Sequence, residues 1–266
     1  MKVVLFCGGQ GMRLREYSEN IPKPMVPVGY RPILWNIMKY YAYYGHKDFI
    51  LCLGHKADII KKYFVNYEET ISNDFVFTSG GKNIKMLNTD IDDWRITFVD
   101  TGITTNIGMR LMQVKEHLDE EDIFLANYAD GLTDLNLNHM IEWFIARKNA
   151  VAGFMAYQPS QSFHVVQRDG DGIVNDISHI ASSGLFINTG YFVLKKEIFD
   201  FMKYGDELVN EPFQRLIKEK KLISWEHKGF WASMDTYKDK QKLDEANSKG
   251  NAPWEVWSKH NKARIH

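Results

Sequence analysis

Lys2-Val3-Val4-Leu5-Phe6-Cys7 is an apolar run that empties at once into Gly8-Gly9-Gln10-Gly11-Met12-Arg13-Leu14. A short run without polar alternation suits a strand buried on both faces of a sheet. Glycines directly behind it let backbone N–H groups turn toward an anion with no side chain in the way. A tight structural turn would account for the glycines alone. Arg13 and Lys23, the latter within Ile21-Pro22-Lys23-Pro24-Met25, shift the balance by adding positive charge at both ends of the loop. Prolines on either side of Lys23 fix the backbone there, which a merely solvated lysine does not need. The expectation is a loop that holds a triphosphate. It is not a Walker A loop, because no Lys-Ser/Thr follows the last glycine, and the dinucleotide fingerprint is incomplete.

The segments that follow alternate. Apolar residues at helical spacing run from Arg31 to Tyr41, with Pro32 in the first turn and Gly45 as the stop. Asp48 to Leu53 reads as a strand and Lys56 to Phe64 as a helix. That order is the signature of a parallel α/β sheet. Residues 66–95 interrupt it with short alternating stretches, expected to be small strands or a flap. Trp94 to Asp100, Ile123 to Tyr128 and Ala150 to Tyr157 read as further strands, with helices over 108–118 and 137–149 between them. From 158 onward, turns such as Asp169-Gly170-Asp171-Gly172 imply antiparallel pairing. Leu185 to Leu194 is expected as a central strand, Glu211 to Glu219 and Tyr237 to Ser248 as helices, and Leu222 to His227 as a strand. The chain reads as one domain over 1–266, with halves 1–157 and 158–248 and a tail 249–266.

Charge balance narrows the function classes. The 33 Lys+Arg against 34 Asp+Glu leave a net charge of -1, so no basic excess points to nucleic acid. The only cysteines, Cys7 and Cys52, sit in apolar runs and read as small buried hydrophobes, consistent with a reducing cytoplasm. No uninterrupted apolar run reaches the roughly 18 residues of a membrane span.

Two carboxylates stand where chemistry is expected. Asp130, in Tyr128-Ala129-Asp130-Gly131, falls just past a buried strand, where open α/β sheets place ligands. There it would supply oxygen to a Mg²⁺ that neutralises phosphates. Capping the next helix is its competing role, for which Asp134 is better placed. Asp235 lies in the apolar setting Trp231-Ala232-Ser233-Met234-Asp235-Thr236, and a helix N-cap is its alternative.

With these residues in view, the chain resembles the sugar-1-phosphate nucleotidyltransferases. Gly8 to Leu14 with Lys23-Pro24-Met25 is similar to their opening signature. Pro32 to Trp35, Val99 to Gly102, Gly108 to Leu111, Phe230-Trp231, Met234-Asp235-Thr236 and Ala252-Pro253-Trp254 are most similar to the glucose-1-phosphate cytidylyltransferase branch, essentially end to end. The resemblance implies a Rossmann-like, mixed but mainly parallel α/β sheet with helices on both faces and a small antiparallel portion. It implies attack of a sugar 1-phosphate on the α-phosphorus of CTP with loss of pyrophosphate. Gly8, Gly9, Gly11, Met12 and Arg13 would hold the triphosphate and Lys23 would neutralise the α-phosphate. Asp130 and Asp235 would bind Mg²⁺, and Thr104 and Arg110 would contact nucleotide.

The acceptor side departs from that pattern. His179 stands where the family has the lysine of Glu-Lys-Pro, and a histidine is a weaker anion partner. His164 stands where it has a glycine against the sugar, and Asn188-Thr189-Gly190 replaces Asn-Gly-Gly. Three readings stay open: a variant acceptor contacted by His164, His179 and Asn188; glucose 1-phosphate held through rearranged contacts; or a non-catalytic nucleotide-binding protein. Aromatic content of 14% and the Trp254/Trp257 tail, expected as an exposed adhesive segment, suggest a homo-oligomer.

Overall fold

The structure, a computed structural model, describes residues 1–9, 20–159 and 163–258. Gly11, Met12 and Arg13 lie outside the described residues. In chain order come β1 (Val3–Phe6), β2 (Pro27–Val28), β3 (Arg31–Pro32), α1 (Ile33–Tyr43), β4 (Asp48–Leu53) and α2 (Ala57–Val65). The excursion is a hairpin of β5 (Phe75–Thr78) and β6 (Asn83–Met86). Then follow β7 (Arg95–Asp100), α3 (Ile107–Gln113), β8 (Ile123–Asn127), β9 (Gly131–Thr133), α4 (Leu137–Ala146) and β10 (Ala152–Tyr157). A second hairpin joins β11 (His164–Arg168) to β12 (Val174–His179). The remainder is β13 (Ile187–Lys195), α5 (Glu211–Lys218), β14 (Leu222–His227), β15 (Trp231–Ser233) and α6 (Tyr237–Ser248).

Among the described residues, seven strands form one sheet in the order β14-β10-β13-β8-β1-β4-β7. β1 pairs in parallel with both neighbours, Val4 facing Ile50 on one side and Ala126 on the other. Every β1 side chain is buried, which is why its sequence is apolar without alternation. Only β13 runs against its neighbours. Strand order reverses at β1, so the glycine loop leaves the sheet at the topological switch point, where such sheets bind ligands.

Alternate β1 residues feed two cores. Val3, Leu5 and Cys7 pack with α1, α4 and Met234, whereas Val4 and Phe6 pack with Leu111 of α3 and with Phe213 and Leu216 of α5. Helices therefore cover both faces, as the sequence implies. The helix starts are set by side chains: Asn106 caps α3 and Asn136 caps α4, each amide oxygen accepting from the backbone three residues on. Asp134, expected as that second cap, does other work.

The tail corrects a sequence expectation. Trp254 is 1% exposed and packs on Phe230, while Trp257 meets Trp35 of α1 edge-to-face at 6.1 Å. Trp254 joins the apolar core and Trp257 packs against its edge, because the chain after α6 runs back against α1. The adhesive-tail argument for self-association therefore falls. No helix among the described residues is long and apolar enough to cross a membrane.

Candidate active site

Lys23 is the meeting point of the site. It opens a short 3₁₀ turn, Lys23–Met25, between Pro22 and the buried Pro24. Its Nζ donates to Asp130 Oδ2 and to Asp235 Oδ1, each at 2.7 Å. Two carboxylates distant in sequence thus converge on one ammonium, and the lysine side chain is only 14% exposed. Burial works against the charge of Lys23, but the carboxylates, Asp130 foremost, outweigh it and hold the ammonium above its ordinary pKa.

Backbone geometry aims the two aspartates. Ala129 has φ +60°, a left-handed conformation that costs a residue with a Cβ. The Asn127 side chain stabilises it by accepting from Ala129 N at 2.7 Å. This bend turns Asp130 away from the line of β8. Asp130 O then accepts from Met234 N at 2.9 Å, and β9 pairs with β15 immediately beyond, Gly131 facing Ser233. That register carries Asp235 back beside Asp130. Thr236, not Asp235, is the N-cap of α6, in a capping box with Asp239. Asp235 is therefore not spent on the helix.

Carboxylate oxygens converging on one cation are the donor type that suits Mg²⁺. No group of three or more possible protein ligands occurs among the described residues. The pair fits a metal whose remaining positions are filled by water and phosphate oxygens.

Gly8 and Gly9 leave β1 at the same end of the sheet as Asp130. Behind them lies Arg110, 2% exposed. Its guanidinium donates to Gly8 O and Leu53 O, each at 3.1 Å, and to Thr101 Oγ1 at 2.6 Å. It thereby ties the ends of β1, β4 and β7 together. A Cβ on Gly8 would overlap that guanidinium, and one on Gly54 would press on the same group and on two carbonyls. These glycines admit the arginine. The structure thus sets Arg110 against Gly8, whereas Thr104 is exposed in the loop after β7.

His164 and His179 face each other across the second hairpin, rings 5.4 Å apart. His179 Nδ1 accepts from Ala181 N at 3.1 Å and so caps the turn over 180–182. Asn188 Oδ1 accepts from Gly190 N at 2.9 Å. Thr189 is 3% exposed and donates to Met155 O at 2.8 Å. Pairing of β13 with β10 jumps here, so residues 189–191 oppose Met155 alone, with Gly190 at φ +81°. The Thr-Gly sequence suits this bulge: one residue satisfies a carbonyl released by the ladder, the next takes the left-handed turn.

Sequence reasoning missed Asn127 and Ala129, whose types give no signal of a strained bend. It also missed the role of Asp134, whose Oδ1 accepts from Phe230 N at 2.7 Å and lies 2.9 Å from His227 Nε2. Asp134 locks the turn from β14 into β15, and so supports the strand that delivers Asp235.

Similarity to known proteins bears on this geometry. The sequence model described as nucleotidyl transferase matches residues 2–239. A Bacillus subtilis protein described as a probable glucose-1-phosphate cytidylyltransferase is 38% identical over 97% of this chain and 100% of its own length. The glucose-1-phosphate cytidylyltransferase of Salmonella typhi is 35% identical over the same shares. A solved UDP-glucose pyrophosphorylase complexed with UDP-glucose superposes with TM-score 0.67, covering 94% of this chain and 98% of that one. At 15% identity it speaks for the fold alone.

Proposed function

The chain belongs to the nucleotidyl transferase family, and on that premise we propose that it moves a cytidylyl group from CTP to a sugar 1-phosphate, releasing pyrophosphate. Glucose 1-phosphate is the acceptor. The observation that carries this reading is the convergence of Asp130 and Asp235 on Lys23. Similarity to cytidylyltransferases over the whole of their length supports CTP as the nucleotide. The departures on the acceptor side do not argue against glucose 1-phosphate, since His179 and Thr189 both have local structural duties.

Chemically, an oxygen of the sugar phosphate forms a bond to the α-phosphorus of CTP. The bond from that phosphorus to its bridging oxygen breaks, and the electron pair leaves with pyrophosphate. The attacking oxygen is already anionic, so no base is required of the protein. Its task is positioning and charge neutralisation. The loop from Gly8 through Gly9, Gly11 and Met12, with Arg13, holds the triphosphate by backbone N–H groups and the guanidinium. Lys23 balances charge at the α-phosphate. Asp130 and Asp235 would hold Mg²⁺, which supplies electrostatic stabilisation of phosphate oxygens when bound. Thr104 would contact the nucleotide, Arg110 braces Gly8, and His164, His179 and Asn188 would contribute from the acceptor half, 158–248.

Self-association belongs to the same reading. Phe77 and Ile84 of the first hairpin and Phe163 and Ile177 at the second are all more than half exposed, which supports contact with a second copy. A monomeric molar mass at micromolar concentration would remove it.

Pyrophosphate release, followed with Mg²⁺, each of the four NTPs and a panel of sugar 1-phosphates, tests the activity. CTP with glucose 1-phosphate should turn over fastest. Turnover with another base only, or CTP binding without turnover on any acceptor, would overthrow the proposal.

A further inference from the structure

Away from the Lys23 cluster, a cavity of about 460 Å³ opens between α1, the excursion over 66–94 and the chain after α6. Its walls include Trp35 and Trp257, with Lys39 one helical turn beyond Trp35 on the same side of α1. A second cavity of about 340 Å³ continues from it, sharing Lys39, Thr89, Asp90 and Trp257. None of Lys23, Asp130, Asp235, Asn188 or His227 lines either one.

The floor is ionic. Arg31 and Asp90 have side chains 3% and 6% exposed. Arg31 donates to Ser72 Oγ, Tyr63 OH and Glu68 O, while Asp90 accepts from Tyr67 OH, Lys39 and Ser72. Apolar residues of similar volume would pin the excursion to α1 with a smaller desolvation cost. What the polar floor does is hold a wall of hydrogen-bonding groups in fixed positions.

The chemistry of that wall selects a ligand class. Arg31 and Lys39 are both committed to Asp90, and Asp74 and Glu255 add further negative charge. Among the described residues, an anion such as a phosphate or nucleotide meets no uncommitted cation here. The neutral groups that face the cavity are Asn88 and Thr89, both exposed, beside Asn73 and Asn247, whose amides also donate to Glu69 and Glu255. Amides and hydroxyls both donate and accept, as sugar hydroxyls require. The part-exposed Trp257 indole offers apolar surface for ring C–H groups, and the volume lies in the range of small-molecule sites. We propose that this cavity is a second ligand site, for a neutral mono- or disaccharide, distinct from the nucleotidyl-transfer centre.

Saturation-transfer NMR and calorimetry on the full chain test it, with D-glucose, maltose, inorganic phosphate and choline as probes. One of the two sugars should saturate, and both Trp257→Ala and the exposed-site variant Asn88→Ala should weaken it at least about tenfold. Asn88→Ala removes no core contact, so it reports even where Trp257→Ala unfolds. Saturating CTP and the Asp130→Asn variant should leave the binding unchanged. Failure of both sugars to saturate would overturn the proposal, as would binding that Asn88→Ala leaves intact. So would sugar binding lost in Asp130→Asn, which would place it at the acceptor subsite, or tighter binding of phosphate or choline.

Discussion

Lys23 shows how much one side chain can settle. An ammonium bridging two carboxylates fixes the spacing of both, so replacing it should act on them as a unit. Lys23→Met is expected to abolish most turnover, measured as pyrophosphate release, while far-UV circular dichroism stays native. Asp130→Asn and Asp235→Asn should each reduce turnover by roughly a hundredfold or more, in line with the loss of one preorganised electrostatic group. A normally active D130N would sink the assignment. Arg110 makes a different prediction. Its buried guanidinium satisfies several carbonyl oxygens, and Arg110→Ala would strand them, costing about 2–4 kcal/mol in urea unfolding. His46 gives the pH dependence. Burial, and secondarily the N-terminal amino group, push its pKa from 6.5 down to about 4, and neither ring nitrogen has a partner among the described residues. The unfolded chain takes up a proton from pH 6.5 downward, whereas the folded chain resists until about pH 4. Stability should therefore fall across that window and level off below it. His46→Leu should flatten that part of the curve, read as urea midpoints at pH 7 and pH 5. An equally steep fall in the variant would show that His46 is not the cause.

Elements were legible where local pattern and tertiary demand agreed. α6 spans Tyr237–Ser248 as expected, and its start is set by a capping box between Thr236 and Asp239, not by the Asp235 cap the sequence offered as an alternative. Thr236→Ala should cost about 1 kcal/mol, and because Asp235 is its neighbour the loss should extend to turnover. α4 shows the limit. An aspartate before a helical pattern is a sound cap signal, yet Asn136 takes that role and Asp134 reaches instead to the 227–230 turn. Local propensity permits either residue, and only the strand arriving from β14 decides between them. The bulge at Thr189 is similar: its hydroxyl is explained by a carbonyl across the sheet, which no single segment contains.

At the scale of the whole molecule, the parallel order around β1 brings the carboxyl ends of β1, β4, β7 and β8 to one edge of the sheet. The sequence by itself determined the α/β alternation, the buried first strand and the glycine loop, because hydrophobic period and backbone freedom are local properties. It also singled out Lys23, Asp130 and Asp235 one at a time, from flanking prolines, a strand end and an apolar setting. Tertiary structure alone decided that the three meet, since their meeting depends on the β9–β15 register and a strained Ala129. It likewise decided that Arg110 is tied to Gly8 at the end of β1, and that Trp254 belongs to the core. Burial and long-range pairing follow from which surfaces the folded chain presses together, and a residue's type fixes only what it can offer when they meet.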